Sequence, residues 1–137
     1  EKYKQLKIMD ITQWLKEVVL PRIKVIRPKN RILLHPTCSC QIMGLTPVLL
    51  DIARKCAREV ILPDNWGCCG ASGDRGFIFP ELSDSATRDE RDEIGHESFD
   101  GCYSLARTCE IAMQDHIEQP YESIVYLVDE TIQDQGT

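Results

Sequence analysis

Seven cysteines lie among 137 residues, too many for an average cytosolic protein and too few for a secreted disulfide scaffold. Five of them fall in three short segments: His35-Pro-Thr-Cys38-Ser-Cys40, Gly67-Cys68-Cys69-Gly70 and Thr108-Cys109-Glu110. An odd number with no signal peptide favours metal or redox chemistry over a disulfide framework. Thiolate binds soft and borderline metals, and four thiolates satisfy either a tetrahedral zinc or an iron–sulfur cluster. Adjacent cysteines diverge on an extended backbone, so Cys68 and Cys69 need a tight turn to converge. Gly67 and Gly70 permit one and let amide N–H groups approach sulfur closely.

The other sulfur and imidazole groups are read against this constellation. Cys56 belongs to the apolar stripe of a helix and is expected in the core, while Cys40 and Cys102 are either additional ligands or thiols near the site. His35 can ligate zinc, donate to a cluster sulfur, or serve as a satisfied histidine at a strand end. His96 is expected at the surface, and His116 near a helix C-terminus, where partial positive charge is favourable. Trp66 either shields the site or forms a docking surface. Gly70-x-x-Gly73-x-x-Gly76 lacks the spacing of a phosphate loop. Thiol–disulfide exchange by Cys68-Cys69 or by Cys38 and Cys40 is the weakest reading, because a disulfide between adjacent residues is a strained ring and no Cys-x-x-Cys is present.

These residues need elements to carry them, and the punctuation alternates strand and helix. Asp10 is placed to cap a helix in which Ile8, Ile11, Leu15, Val18 and Val19 repeat until Pro21. Arg31–His35 reads as a buried strand. Thr46-Pro47 opens a helix with Leu45, Val48, Leu49, Ile52, Ala53 and Cys56 on one stripe. Glu59–Leu62 is the next strand. Glu81–Ile94 is a charged helix with a thin apolar face of Leu82, Ala86 and Ile94. Asp100–Leu105 is a third strand, Thr108 caps a helix running to His116, and the spacing of Tyr121, Ile124, Val125, Val128 and Ile132 predicts a last helix, although Ser123–Val128 taken alone also reads as a strand. This alternation implies an α/β fold, a small parallel sheet flanked by helices. Loops leaving the carboxyl ends of such strands gather at one edge, which brings the three cysteine segments together.

Composition bounds the rest. A length of 137 residues with 42% hydrophobic and 28% charged content describes one soluble globular domain. No apolar run reaches the ~18 residues of a membrane helix. The net charge of −6 is split, with nine Lys/Arg against three Asp/Glu in residues 1–31 and seven against nineteen in the remainder. An acidic body argues against nucleic acid. Residues 1–30 read as a basic helical leader, solvated or docked on the acidic body 31–137. The chain opens on Glu1, which suggests a piece of a larger polypeptide made without an export signal.

The stretches His35-Pro-Thr-Cys-Ser, Gly67-Cys-Cys-Gly-Ala-Ser-Gly-Asp-Arg-Gly-Phe77 and Arg107-Thr-Cys-Glu-Ile111 resemble the cysteine-rich CCG domain. That domain is found in heterodisulfide reductase and in the iron–sulfur subunit of glycolate oxidase. The resemblance is nearest to the C-terminal segment of FAD-linked D-lactate and D-2-hydroxyglutarate dehydrogenases, and it spans residues 30–130. It implies a Rossmann-like domain that relays electrons through an iron–sulfur cluster of the 4Fe-4S kind. Cys38, Cys68, Cys69 and Cys109 match the cluster ligands. The parent chain would oxidise a D-2-hydroxy acid such as lactate on FAD, with flavin and ferredoxin-like domains as partners. Its location would be the cytoplasm or the inner face of the membrane. A structural zinc or docking module of the same oxidoreductase is the alternative. The family's last motif is often Cys-x-x-Cys, and here Ala106 stands three residues before Cys109. A five-thiolate cluster would therefore need Cys40 or Cys102 as a substitute.

Overall fold

A computed structural model describes residues 3–132. Four strands, β1 (Lys29–Leu34), β2 (Ala57–Ile61), β3 (Gly101–Ser104) and β4 (Tyr121–Ser123), form one sheet in the order β2-β1-β3-β4, with every pairing parallel. Parallel neighbours need crossovers, and helices supply them: α2 (Cys38–Ile42) and α3 (Thr46–Cys56) join β1 to β2, α4 (Arg75–Ile78) and α5 (Pro80–Ile94) join β2 to β3, and α6 (Arg107–Ile117) joins β3 to β4. A last helix, α7 (Ile124–Ile132), follows β4 directly. The expected α/β architecture, a small parallel sheet flanked by helices, is therefore present. Among the described residues no helix is long and apolar enough to cross a membrane.

Residues of β1 alternate between two cores, as the period of a strand requires. Ile32 and Leu34 face Leu49, Ile52, Ala53 and Cys56 of α3 and Ile124, Leu127 and Val128 of α7. Leu33 faces Ile94 of α5 and Ala112, Met113 and Ile117 of α6. The stripe read for α3 is the buried one, with Cys56 fully enclosed and Val48 at its margin. Strand order reverses between β1 and β3, since the chain leaves β1 for β2 on one side and returns to β3 on the other. Such a reversal opens a crevice at the carboxyl ends of the two strands.

Four local expectations need correction. The N-terminal segment begins as a helix capped by Asp10, which accepts from the Thr12 amide at 2.8 Å, but α1 (Ile11–Trp14) is one turn that widens into a π turn, Leu15–Val19, and a 3-10 turn, Leu20–Arg22. The changing pitch breaks the 3.6-residue stripe. Of that stripe Leu15 is buried as expected but Ile8 and Ile11 stay exposed, and Thr12 and Leu20, outside it, are buried too. On α5 the buried face is Ser83, Thr87, Glu90 and Ile94, and Leu82 faces outward. The helix packs against α6 and α4, and the small Ser83 at its start allows close approach of Gly70 and Gly76. Thr108 is no cap, because α6 starts at Arg107, two residues earlier than a Thr108 cap would place it, with Ala106 at the N-cap. Tyr121–Ser123 is a strand and not the first turn of the last helix. A three-residue edge strand has too few positions to show its own period.

The basic N-terminal segment docks on the body. Lys16 pairs with Asp51 of α3, and Lys29 lies 2.8 Å from Glu130 of α7.

Candidate metal centre

Each cysteine segment leaves the carboxyl end of a different strand. Three residues after β1 the chain turns into α2, whose first residue is Cys38; the Thr37 hydroxyl caps the turn by accepting from the Cys40 amide at 3.2 Å. After β2 a loop carries Cys68 and Cys69. After β3 the chain enters α6, with Cys109 in its first turn. β1 lies between β2 and β3, so the three ends are neighbours.

The result is a pocket of about 300 Å³ lined by Cys38, Cys68, Cys69 and Cys109, together with Thr37, Ser39, Ser72 and Thr108. Cys38 and Cys68 are exposed at its mouth, and Cys69 and Cys109 are buried in its floor. The Cys69 and Cys109 sulfurs are 3.0 Å apart. The Gly70 amide donates to Cys68 Sγ at 3.4 Å, and the Ala71 amide donates to Cys69. Two successive N–H groups aimed at sulfur form an anion-stabilising turn. The first turn of α6 adds its positive dipole end.

Gly70 makes this turn possible. Its φ is +74°, and a Cβ there would sit 2.5 Å from the Leu82 carbonyl oxygen and 2.6 Å from Ser83 Cα. The obstacles are backbone at the start of α5, which cannot swing away. Gly70→Ala is expected to destabilise the fold by about 3 kcal/mol, from left-handed strain plus overpacking, read as a lowered urea midpoint. Gly67 has open space around it and an ordinary φ. Neither Gly67 nor Gly70 lines the pocket.

Within the pocket the two buried thiols divide the burden of ionisation. The neighbouring Cys109 S–H, the Ala71 amide and the charge of His35 bring the Cys69 thiol down to about 6. Cys109 is pushed up by Cys69, by burial and by the nearby Cys38 and Cys68. Cys69 ionises more readily folded than unfolded, so its contribution to stability grows as pH rises above about 6 and is lost as pH falls through that value. Cys109 acts oppositely and erodes stability only above the range in which a free thiol ionises. One thiolate of the reduced, metal-free protein is therefore expected to appear with a midpoint near 6, monitored by ultraviolet thiolate absorbance against the Cys69→Ser variant.

His35 lies beneath the pocket and does not line it. Its ring is fully buried, Nδ1 is 2.9 Å from Glu90 Oε2, and Nε2 has no partner. The Ser104 hydroxyl donates to the His35 carbonyl at 2.9 Å, which fixes the end of β1 to β3. The Tyr121 ring packs edge-on against the imidazole, at 6.5 Å between centroids. Glu90 is the partner that reading the sequence missed, because a carboxylate in a run of acidic residues looks solvated. The available signal was its place in the series Ser83, Thr87, Glu90, Ile94, which follows helical spacing and ends on an apolar residue.

The remaining thiols do not reach the pocket. Cys40 faces the α3 side of the sheet with burial raising its thiol, and Cys56 sits in the same core. Cys102 is buried on the other side and pushed up to about 12 by desolvation. Neither Cys40 nor Cys102 lines the pocket, and Ala106 does.

The donor set suits a thiophilic centre: four thiols, one of them acidified, with amide donors behind two of them. Among the described residues, however, no three or more Cys, His, Asp or Glu side chains stand close enough to hold a single metal ion. A lone zinc needs its ligands to meet about 2.3 Å from one point. A polynuclear cluster carries its terminal thiolates on different irons and holds them further apart than the 3.0 Å contact of Cys69 with Cys109, so that pair would have to part to hold one. Comparison with family models, with curated proteins and with solved structures yielded no match to this chain.

Proposed function

We propose that this domain binds an iron–sulfur cluster through Cys38, Cys68, Cys69 and Cys109 and serves as an electron-transfer module. The observation that carries the reading is the convergence of four thiols from three separated segments on one pocket at the carboxyl edge of the sheet. A bound cluster supplies one-electron redox chemistry. The protein's own part is to hold the four sulfurs, to direct the Gly70 and Ala71 amides at two of them, and to enclose the inner pair. Amide hydrogen bonds to sulfur and burial are the levers by which a protein sets a cluster's potential.

In the wider reading, which rests on the CCG resemblance, the electrons come from FAD on another domain of an oxidoreductase acting on a D-2-hydroxy acid such as lactate. The substrate chemistry then belongs to that flavin domain, and this domain is not itself catalytic.

Iron and acid-labile sulfide analysis of protein reconstituted anaerobically with ferrous iron and sulfide tests the first step. Stoichiometric iron and sulfide with charge-transfer absorption supports it. Stoichiometric zinc taken up in preference, with neither iron nor sulfide, replaces it by a structural zinc module.

A further inference from the structure

The adjacent cysteines invite a disulfide reading, but the fold separates them. Cys68 is exposed at the pocket mouth and Cys69 is buried in its floor. The thiol that meets Cys69 comes from 40 residues further along, where Cys109 Sγ stands at 3.0 Å. Cys40, Cys56 and Cys102 are enclosed in the two cores. We propose that in the metal-free domain Cys69 and Cys109 form a reversible disulfide, closed by a peroxide entering the pocket, which withdraws two pocket thiols and blocks loading of the centre until a dithiol reopens it. The blocking half of this inference rests on the pocket being a metal centre; the disulfide half does not.

The chemistry balances with hydrogen peroxide as the two-electron oxidant. Cys69 sulfur attacks one peroxide oxygen, the O–O bond breaks, and the departing hydroxide leaves as water with the thiol proton. Cys69 is then a sulfenic acid. Cys109 sulfur attacks Cys69 sulfur, the S–O bond breaks, and the hydroxyl departs as a second water with the Cys109 proton. Two thiols and one peroxide thus give one disulfide and two waters. Access is steric: both sulfurs are nearly enclosed, at 4% and 7% residue exposure, and peroxide is small enough to enter the 300 Å³ pocket. The second attack needs little movement, because the partner sulfur is already in contact. A bridge spanning 40 residues also restricts the unfolded chain, so the oxidised form is expected to melt at a higher temperature than the reduced one.

The test uses the whole chain, stripped of metal, reduced, and treated anaerobically with one equivalent of hydrogen peroxide. Thiols titrated in denaturant are expected to fall from seven to five. Tryptic digestion should join the peptide 59–75, which holds Cys68 and Cys69, to the peptide beginning at Thr108. Cys68→Ser should retain that cross-link and Cys69→Ser should lose it, while wild-type protein shows the same bridge by fragmentation between the two cysteines. Uptake of iron and sulfide should be lost in the oxidised protein and return to the reduced level after a dithiol. Oxidation confined to Cys38 and Cys68, or a bridge between Cys68 and Cys69, overturns the inference while leaving the cluster reading intact. A Cys69–Cys109 bridge in protein that binds no cluster in either state sustains the disulfide and overturns both the cluster reading and the gate. Equal uptake by bridged and reduced protein overturns the gate alone.

Discussion

Cys69→Ser is expected to leave the anaerobically reconstituted domain without bound iron or sulfide, a loss of affinity greater than about a hundredfold, since losing only an outer hydrogen-bond partner weakens metal sites by roughly ten- to a hundredfold. Cys69 combines the properties a soft-metal ligand needs. It is enclosed, it accepts from the Ala71 amide, and its thiol is brought down to about 6, so it is largely thiolate at neutral pH. Serine is nearly the same size but stays protonated and is a hard donor, which isolates the loss of chemistry from any loss of packing. Cys56→Ser is the control. That thiol is equally buried but lies in the core between α3 and α7 with burial raising it, so the added hydroxyl costs about 1–3 kcal/mol of stability and no iron. Iron and sulfide per chain, measured beside a urea midpoint, separate the two variants. Equal iron in both would remove Cys69 from the ligand set.

Glu90→Ala is expected to destabilise the domain by about 3 kcal/mol, because it strips the carboxylate from Nδ1 of a fully buried histidine and leaves a cavity under β1. The effect on the thermal midpoint is of order 10 °C for a domain of this size. Removing both groups is a different experiment. His35→Leu with Glu90→Leu replaces a buried polar pair by apolar side chains, which is often neutral or stabilising, so the double variant should recover most of the loss. It should not recover the thiol. The charge of His35 is one of the influences lowering Cys69, and its removal moves the thiolate midpoint upward. A double variant that is stable and still ionises at the wild-type pH would reduce the pair to a packing device. Stability regained with the midpoint displaced identifies it as a positioning pair acting on the pocket.

Much of this organisation was legible in the residues themselves. The strand around Ile32–Leu34 stands out because a strand buried on both faces is a continuous apolar run, bounded here by proline and asparagine, whereas the edge strand β2 shows only the half-buried Val60 and Ile61 beside exposed Arg58 and Glu59. Helix α3 is legible because its buried stripe holds a single pitch through three turns. The N-terminal turns were not, since a segment that changes from α to π to 3-10 has no constant period to detect. β4 escaped for a related reason: three residues paired along one edge continue without a break into α7.

For the pocket, the residue types and the alternation of elements determined that three cysteine segments would issue from one sheet edge, because a parallel sheet sends all its strand ends the same way. Which sulfurs touch was decided only by tertiary packing. The strand order β2-β1-β3-β4 brings the loop after β2 across the end of β1 to the start of α6, so Cys69 meets Cys109 and turns away from its own neighbour. The same packing sets Glu90 against His35 and draws Gly70 to the start of α5. Contacts between residues tens of positions apart depend on how whole layers stack, and no local pattern of side chains encodes that stacking.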